Sequence, residues 1–293
     1  MKVYRARVLG FCMGVRRAVE IAEREIALQK SVFTLGPLIH NPQVLRSLED
    51  RGVKILDEKN IPAGPGGLAG KTVIIRAHGV KPETEARLVN AAARIVDATC
   101  PKVKASQLAA RTLAETGAAV FIAGERNHAE VIGIAGYAAG ARVIIAGSAA
   151  EAREEAEKLA ACNKEALTAL LAQTTFSEEE YREAAKAIKE FFPRLMVKHT
   201  ICRATRDRQD ALRELCTRCE GIVVAGGRES ANTRRLAAIA QSCGKPACVA
   251  ESAAGLDEIP FLKNVKTAGL CAGASTPGGV IEEIASALYT LPL

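Results

Sequence analysis

Residues 221–244 read G-I-V-V-A-G-G-R-E-S-A-N-T-R-R-L-A-A-I-A-Q-S-C-G and carry a pattern that recurs throughout the chain. Gly221 to Ala225 is a continuous apolar run, which is typical of a strand buried on both faces. Thr233 to Ser242 follows a helical pattern, and Gly244 stands where a helix-ending glycine belongs. A buried strand that leads into a helix predicts one unit of a parallel α/β sheet.

Similar strand–helix units follow one another along the sequence. Further buried strands are predicted at Val73 to Ala77, Ala119 to Ala123, Arg142 to Ala146, Leu167 to Ala172 and Lys266 to Leu270. Helices are predicted at Val15 to Leu28, Pro101 to Glu115, Glu178 to Phe191, Arg206 to Arg218 and Gly278 to Leu288. Ser177 and Glu180 form a capping box for the third of these helices. The alternation predicts an α/β fold with parallel sheets covered on both faces.

The composition is that of a folded globular protein. The chain has 293 residues, of which 48% are hydrophobic and 25% are charged, so it can bury a substantial core. No apolar run reaches the roughly 18 residues that a membrane-spanning helix needs, and the N-terminus lacks a signal-peptide pattern. We therefore expect a cytoplasmic protein without a membrane partner.

The net charge of +7 raises the question of an anionic partner. Only 4% of the residues are aromatic and none is Trp, so there is little surface on which nucleic-acid bases could stack. A solvated surface of mixed charge also explains this composition. A moderate positive excess suits an anionic substrate or an acidic protein partner, and we expect such a partner in place of nucleic acid.

Three of the nine cysteines share one local context, the start of a predicted helix. Cys12 lies in G-F-C-M-G-V, Cys100 in D-A-T-C-P, and Cys202 in T-I-C-R-A-T-R, where Thr205 is expected to cap the helix. A thiol at a helix N-terminus ionises more readily, and the thiolate is the form that binds metal. Taken alone, each cysteine also fits a buried core position.

The wide separation of these cysteines bears on the kind of metal site. Structural zinc sites usually draw their ligands in short pairs such as C-x-x-C. Electron-transfer clusters use four cysteines, whereas three suit a four-iron cluster in which one iron has no protein ligand. We therefore predict one [4Fe-4S] cluster with three protein ligands, whose open iron can bind a substrate oxygen.

The remaining cysteines are interpreted as structural. Cys216 and Cys219 fall inside a predicted helix, where positions i and i+3 share a face, so packing explains them. Cys162, Cys243, Cys248 and Cys271 lie at helix ends or in strands.

Three of the four histidines lie at the ends of strands or the starts of helices. His40 precedes Asn41, a predicted helix cap, and His78 ends the strand V-I-I-R-A-H-G, while His128 lies in N-H-A-E. His199 is expected at the surface. A histidine at a strand end is often a structural group. Helix starts also offer backbone N–H groups and a positive dipole end to anions.

Further polar residues lie in the same kind of position. Ser230 and Asn232 follow the strand ending at Ala225, and Ser275 lies in A-G-A-S-T-P. Helix capping alone explains each of them. Together with the histidines they predict a cradle for a diphosphate. The absence of G-x-x-x-x-G-K-[ST] and of G-x-G-x-x-G argues against an ordinary nucleotide site.

Glu130 and Thr174 complete the set of candidate residues. Thr174 follows a strand in A-Q-T-T, so its hydroxyl lies at a strand exit. Glu130 fits an exposed carboxylate at a helix start. Because it follows His128 by two residues, it also fits a group that delivers protons to a leaving hydroxyl.

Nine motifs in this order resemble the 4-hydroxy-3-methylbut-2-enyl diphosphate reductase family, the last enzyme of the methylerythritol phosphate route to isoprenoids. The resemblance runs from residue 10 to residue 277. The motifs are G-F-C-M-G-V, L-I-H-N, A-H-G-V, D-A-T-C-P, N-H-A-E-V-I-G, A-Q-T-T, I-C-R-A-T-R-D-R-Q, G-G-R-E-S-A-N-T and T-A-G-L-C-A-G-A-S-T-P.

The resemblance implies a fold, a reaction and a role for each candidate residue. Three small α/β domains would form a cloverleaf around a central cluster, with residues 13–99, 100–197 and 198–293 as the domains and 1–12 packing against the last. The reaction would be reductive dehydroxylation of the allylic diphosphate to isopentenyl and dimethylallyl diphosphate. The metal ligands would be Cys12, Cys100 and Cys202. The diphosphate would be bound by His40, His78, His128, Ser230, Asn232 and Ser275. Glu130, with His128, would relay protons, and Thr174 would orient the substrate hydroxyl.

An external donor must supply the electrons for such a reaction. A ferredoxin or a flavodoxin is expected, and the positive net charge suits an acidic protein of this kind. Two alternatives stay open at this point. One is a quinolinate synthase-like enzyme, which also uses three domains and a three-cysteine cluster, and the other is a basic metal-binding nucleic-acid module.

Overall fold

The computed structural model describes residues 1–28 and 31–291, in which strands alternate with helices. The strands are β1 (Lys2–Arg5), β2 (Val32–Leu35), β3 (Lys54–Leu56), β4 (Thr72–Ile75), β5 (Arg94–Asp97), β6 (Ala119–Ala123), β7 (Val143–Ala146), β8 (Thr168–Ala172), β9 (Met196–Val197), β10 (Gly221–Ala225), β11 (Ala247–Ala250) and β12 (Thr267–Ala272). The helices are α1 (Met13–Leu28), α2 (Pro42–Asp50), α3 (Pro82–Asn90), α4 (Pro101–Glu115), α5 (Ala129–Tyr137), α6 (Ala149–Cys162), α7 (Glu178–Lys189), α8 (Arg203–Cys216), α9 (Ala231–Ser242) and α10 (Gly278–Thr290). Short 3-10 helices lie at Glu58–Asn60, Leu256–Glu258 and Pro260–Lys263.

The strands form three four-stranded sheets in which the neighbouring strands are parallel. Sheet I has the order β3-β2-β4-β5, sheet II the order β7-β6-β8-β9, and sheet III the order β1-β12-β10-β11. Internal contacts divide the chain into two compact units. Sheets I and II belong to the unit of residues 17–38 and 48–202, and sheet III belongs to the unit of residues 1–16, 39–47 and 203 onward.

All three sheets repeat one topology. In sheets I and II the first strand in sequence pairs with the second on one side and with the third on the other, and the fourth strand extends the sheet beyond the third. Sheet III has the same arrangement, with β10, β11 and β12 as its first three strands. The place of its fourth strand is taken by β1 from the beginning of the chain, in register with β12 from Lys2 opposite Thr267 to Arg5 opposite Leu270.

The central strands are apolar because both of their faces are covered. In β6 and β8 every residue is buried. Since side chains alternate along a strand, Phe121 and Leu170 pack in one core cluster, while Val120 and Leu171 pack in another on the opposite face. Each such side chain contributes roughly 1.5–3 kcal/mol of burial free energy, so these strands form the rigid base of the sheet.

Most of the predicted helix and strand signals are confirmed. Ser177 caps α7 by accepting a hydrogen bond from the Glu180 N–H, and Gly117 and Gly244 adopt positive φ angles of 78° and 73° after their helices. Pro101 is the first residue of α4, with Cys100 as its N-cap. His199 is exposed, as expected. The predicted α/β class with three parallel sheets is therefore confirmed, and the predicted domain boundaries stay a prediction.

Two details of the predicted helices are wrong. Helix α8 begins at Arg203, so Thr205 lies inside the helix and does not cap it. The same helix ends at Cys216, so Cys219 lies beyond it and does not share its face. Both Cys216 and Cys219 are nevertheless buried in the same core cluster, which confirms packing as their role.

Among the helices of the described residues, none combines the length and the apolar character needed to cross a bilayer.

Candidate functional site

The candidate site residues lie at the carboxyl ends of the strands, and the repeated topology gives them repeated positions. His40, His128 and Ser230 each lie five residues after the last residue of the first strand of a sheet, at Leu35, Ala123 and Ala225. In open parallel sheets this edge is where ligands bind. Three residues that look unrelated in sequence therefore occupy one structural position.

The exits of the third strands carry a second set. His78 and Ser275 lie three residues after the ends of β4 and β12, and Thr174 lies two residues after the end of β8. Each is reached by a short loop from a central, fully enclosed strand. The loop is therefore anchored at a strand that has little freedom to move.

The three candidate metal ligands occupy a third repeated position. Each cysteine directly precedes the first residue of a helix, at Met13, Pro101 and Arg203. Each also donates its backbone N–H to a carbonyl in the loop after the third strand. The pairs are Cys12 to Ala274 at 3.0 Å, Cys100 to Ala77 at 2.9 Å and Cys202 to Thr174 at 3.0 Å. In each sheet the acceptor lies two residues beyond the strand end.

These hydrogen bonds link each cysteine to a candidate binding residue. Ala77 precedes His78, Ala274 precedes Ser275, and Thr174 is itself a candidate. None of the three cysteines forms a disulfide in the described structure, and all three are half-buried. These hydrogen bonds therefore hold the backbone of each cysteine next to one candidate binding residue or its chain neighbour.

Glu130 and Thr174 form a buried pair. The Thr174 backbone N–H donates to Glu130 Oε1 at 2.6 Å, and the Thr174 hydroxyl donates to Glu130 Oε2 at 2.9 Å. Burial raises the pKa of Glu130 to about 7, although the two hydrogen bonds from Thr174 oppose the shift. A carboxyl group with such a pKa both gives and takes protons near neutral pH. Because the side chain is only 1% exposed, the prediction of a simple surface carboxylate does not describe it.

The same threonine connects this carboxyl group to a candidate metal ligand. Thr174 donates to Glu130 through its N–H and hydroxyl, and its carbonyl accepts from the Cys202 N–H. The Thr200 hydroxyl reinforces the contact by donating to the Ala172 carbonyl at 2.7 Å. The Glu130 carboxyl group and the Cys202 backbone are thus both hydrogen-bonded to one residue.

His128 begins α5 and caps it. Its Nδ1 accepts a hydrogen bond from the Glu130 N–H at 3.2 Å, so in the neutral ring the hydrogen lies on Nε2. The ring packs edge-on against His78 with 5.3 Å between the centroids. Capping therefore uses Nδ1, and the hydrogen of the neutral ring lies on the other nitrogen.

Ser230 and Ser275 divide their hydrogen-bonding groups in different ways. Ser230 Oγ caps α9 by accepting from the Thr233 N–H at 3.4 Å, which leaves its O–H to donate elsewhere. The Ser275 hydroxyl donates to the His40 carbonyl at 3.0 Å. Ser275 therefore holds the backbone of His40 in addition to any contact with a ligand.

Asn232 supplies a buried donor close to the cap of α9. It is 4% exposed, and within the part of the chain that the structure describes its Nδ2 has no hydrogen-bond partner. A buried amide without a partner costs free energy, so such a group marks a position where a polar ligand compensates. An anionic oxygen is the acceptor that an amide donor suits best.

Two residues that the sequence analysis did not single out support the site. Gln173 accepts from the Glu125 N–H at 3.0 Å and donates to the Thr175 hydroxyl at 2.9 Å, so it joins the loops after β6 and β8. The buried guanidinium of Arg208 donates to the Gly10 carbonyl at 2.6 Å, two residues before Cys12. Both lie inside quoted motifs, but their contacts join segments that are distant in sequence.

The chain matches the LytB protein family from residue 3 to residue 289. The chain belongs to the LytB family. Similar LytB-family relatives are named 4-hydroxy-3-methylbut-2-enyl diphosphate reductase. The protein from Treponema denticola is 40% identical over 97% of this chain and 98% of its own length. The one from Pelobacter propionicus is 39% identical over 97% of this chain and 96% of its own.

Solved structures agree with this family. The E-1-hydroxy-2-methyl-but-2-enyl-4-diphosphate reductase from Plasmodium falciparum is 28% identical, with a TM-score of 0.89 over 99% of this chain and 89% of its own. A second structure, of the reductase described as the terminal enzyme of the non-mevalonate pathway, is 35% identical with a TM-score of 0.67 over 99% of this chain and 100% of its own. The predicted membership of this reductase family is confirmed, and the chain is an enzyme of that family. The relatives favour the reductase over both alternatives.

Proposed function

We propose that this LytB-family chain is a 4-hydroxy-3-methylbut-2-enyl diphosphate reductase that acts through one [4Fe-4S] cluster ligated by Cys12, Cys100 and Cys202. The observation that supports the proposal best is the chain of contacts from Glu130 through Thr174 to Cys202. These contacts connect a carboxyl group with a pKa of about 7 to the backbone of a predicted cluster ligand through one residue, Thr174. Reductive removal of a hydroxyl requires both proton and electron delivery at one place.

The residues present suit the cluster. Cys12, Cys100 and Cys202 are half-buried, form no disulfide in the described structure, and each directly precedes the first residue of a helix. By contrast, burial raises the pKa of Cys216 to about 11 and raises that of Cys271 as well, so these thiols stay protonated. Cys162 and Cys243 are exposed, and they lie at the ends of helices and not at helix starts. The three helix-start thiols are the set that fits a thiolate-bound cofactor with one metal position left for substrate.

The overall reaction balances with two electrons and two protons. The substrate alcohol takes up both electrons, its C–O bond breaks, one proton converts the hydroxyl to water, and the other forms a C–H bond. When bound, the cluster supplies the electrons and an open iron that acts as a Lewis acid on the hydroxyl. The protein residues supply binding, orientation and protons.

Glu130 and Thr174 serve the departing hydroxyl. Glu130 in its protonated form donates a proton, and its raised pKa keeps a substantial protonated fraction near neutral pH. The Thr174 hydroxyl can rotate from Glu130 to the substrate oxygen, because a hydroxyl both donates and accepts. Their burial excludes bulk water, which strengthens each of these contacts.

The diphosphate is bound by donors at the strand exits. His128 offers Nε2–H, Ser230 offers its hydroxyl, and Asn232 offers Nδ2–H, each next to or within the first turn of a helix. Helix N-termini add backbone N–H groups and a favourable dipole for anions. His40, His78 and Ser275 complete the set. Binding at the remote diphosphate positions the alcohol for reaction.

The test is anaerobic reconstitution with iron and sulfide followed by an assay with the hydroxylated diphosphate and a chemical reductant. We expect a brown protein with about four irons per chain, and isopentenyl and dimethylallyl diphosphate as products by mass spectrometry. Four bound irons without either product would refute the activity. Product formation by protein without iron would refute the cofactor.

A further inference from the structure

An exposed group of basic and apolar side chains lies next to two of the proposed cluster ligands in the chain. Met13 follows Cys12 and is 55% exposed, although most large apolar residues of the described chain are buried. Arg203 follows Cys202, and its side chain is 86% exposed. Arg16 and Arg206, each about one turn further along the same two helices, are exposed as well. We call Met13, Arg16, Arg203 and Arg206 the Met13 face.

Contacts within sheet III's unit place these helix starts side by side. Arg7 Nε lies 3.4 Å from Glu214 Oε2, and Arg208 donates to the Gly10 carbonyl at 2.6 Å. The segment leading to Cys12 therefore runs antiparallel to α8. A helix rises about 1.5 Å per residue and an extended chain about 3.3 Å, so three residues of the segment span about as much as six of α8. Continuing this pairing by two residues brings Cys12 level with the first turn of α8.

A second basic surface lies at the opposite end of sheet III, where strands β1 and β12 begin. Lys2, Lys263 and Lys266 line a shallow concavity of about 660 Å³ together with Met1 and Val265. These residues precede or begin β1 and β12, whereas Cys12 and Ser275 follow the ends of the same strands. At about 3.3 Å per residue, the six residues of β12 separate the two ends of the sheet by roughly 20 Å. Both surfaces are basic, and distance from the cysteines favours the Met13 face over the surface of Lys2, Lys263 and Lys266.

We propose that the Met13 face is the docking site of a small acidic ferredoxin, which delivers the electrons for the reaction. The inference rests on the proposed function and specifies its partner. A flexible, exposed Met gives an adaptable apolar centre, and Arg side chains around it pair with carboxylates. Electron-transfer encounters use small interfaces of this kind, below about 1,200 Å². Each docked ferredoxin loses one electron, so two encounters complete one turnover.

The position of the face explains why docking there is useful. Met13 and Arg203 are covalent neighbours of Cys12 and Cys202, so a partner that covers them lies next to two of the proposed cluster ligands. A partner docked at the surface of Lys2, Lys263 and Lys266 would be separated from Cys12 by the length of strand β12. Arg203 has a single described ion pair, with Asp207 at 3.8 Å, which is too long to neutralise it fully.

The experiment compares two charge-reversal variants of the reconstituted enzyme. R203E/R206E should raise KM for reduced ferredoxin about tenfold or more and flatten its dependence on salt, because the steering charges have changed sign. Turnover with reduced methyl viologen should stay within about twofold of the original enzyme. K263E/K266E makes the same change of charge at the other surface. It should leave both KM for reduced ferredoxin and turnover with reduced methyl viologen near their original values. Met13→Glu should act like R203E/R206E without touching an arginine.

Four results would overturn the proposal. The first is a larger rise in KM for ferredoxin in K263E/K266E than in R203E/R206E, and the second is an equal loss of activity with viologen and with ferredoxin in R203E/R206E. The third is an unchanged KM for ferredoxin in Met13→Glu. The fourth is that R203E/R206E impairs reduction by flavodoxin but not by ferredoxin. Fluorescence titration with oxidised ferredoxin measures docking without turnover. An enzyme that is inactive with every donor would refute the proposed function, and the Kd of the two variants in this titration would still decide whether the Met13 face is the docking site.

Discussion

At the scale of single residues, Glu130 shows how one contact changes the chemistry of a side chain. The sequence places it at a helix start beside His128. Its burial, however, depends on Thr174, which is 44 residues further along the chain. A local pattern predicts the helix start and leaves the environment of the carboxyl group open. The raised pKa could therefore be found only from the structure.

Replacement of Glu130 by Gln should reduce turnover by roughly a hundredfold or more, since the amide keeps the size of the side chain but cannot exchange protons. KM for the substrate should change little, because the diphosphate is bound by other residues. The control is Glu151→Gln, also in the first turn of a helix but exposed to solvent. Near-normal turnover in Glu130→Gln, measured with viologen as donor, would remove Glu130 from the mechanism.

The raised pKa of Glu130 also predicts how stability depends on pH. Between its ordinary value of 4.5 and about 7, the folded protein binds one proton more at this group than the unfolded chain does. The free energy of unfolding should therefore decrease as pH rises through this window, by about 1.4 kcal/mol per pH unit from this group. Denaturant titrations of the original protein and of Glu130→Gln should show this slope in their difference. Parallel pH profiles would contradict the shifted pKa.

His128 permits a separation of capping from substrate binding. Asn is a good N-cap, so His128→Asn should keep the start of α5, whereas His128→Ala should lose about 1 kcal/mol of stability. Both changes remove the Nε2–H donor, and both should raise KM for the diphosphate about tenfold. Thermal unfolding and steady-state kinetics measure the two effects. An unchanged KM in both variants would show that His128 acts only as a cap.

At the scale of helices and strands, the apolar runs predict most of the central strands, and the capping residues predict several helix starts. β6 and β10 begin and end as predicted, because buried strands need continuous apolar residues. Very short strands are different. β9 has two residues, Met196 and Val197, and is defined by its pairing with β8. Such a strand has too few residues to show a pattern, so the sequence analysis missed it.

The repeated positions of the site residues were also not predicted. His40, His128 and Ser230 differ in type, and only the strand ends show that they are equivalent. A glycine directly after each first strand, at positions 36, 124 and 226, is the shared signal in the sequence. The candidate residues themselves were found by motif and are brought to strand exits as expected.

Gly226 provides a test of how closely these exits are packed. Its φ of 145° is unfavourable for other residues, and an added Cβ would lie 2.7 Å from Thr233 Oγ1 and 2.8 Å from Thr276 Oγ1. Gly226→Ala should therefore lower the free energy of unfolding by about 1–3 kcal/mol and raise KM through the displaced Ser230 loop. Gly278→Ala is the control, because nothing lies within 4 Å of its Cβ position. Equal stability of the two variants would show that the exit of β10 tolerates a side chain.

At the scale of the whole molecule, the proposed cluster takes one ligand from the end of each sheet. Cys12, Cys100 and Cys202 follow the fourth strands β1, β5 and β9. The sequence predicts all three from their helix-start context. It does not predict that β1 completes sheet III, because that pairing joins the two ends of the chain. The N-terminal segment is therefore a structural part of sheet III, and it carries one of the proposed ligands.

Each of the variants Cys12→Ser, Cys100→Ser and Cys202→Ser should consequently lose iron to a similar extent, whichever sheet carries the change. Changes around metal ligands typically cost 10–100-fold in affinity, and loss of a ligand should cost at least as much. The double variant C216S/C219S is the control, because both thiols are buried in the core and should affect stability without affecting iron per chain. Iron analysis and absorbance near 400 nm after anaerobic reconstitution measure the outcome, with circular dichroism to show that each variant is folded. If the double variant lost its iron while Cys202→Ser kept it, the ligands would have to be sought among the core cysteines.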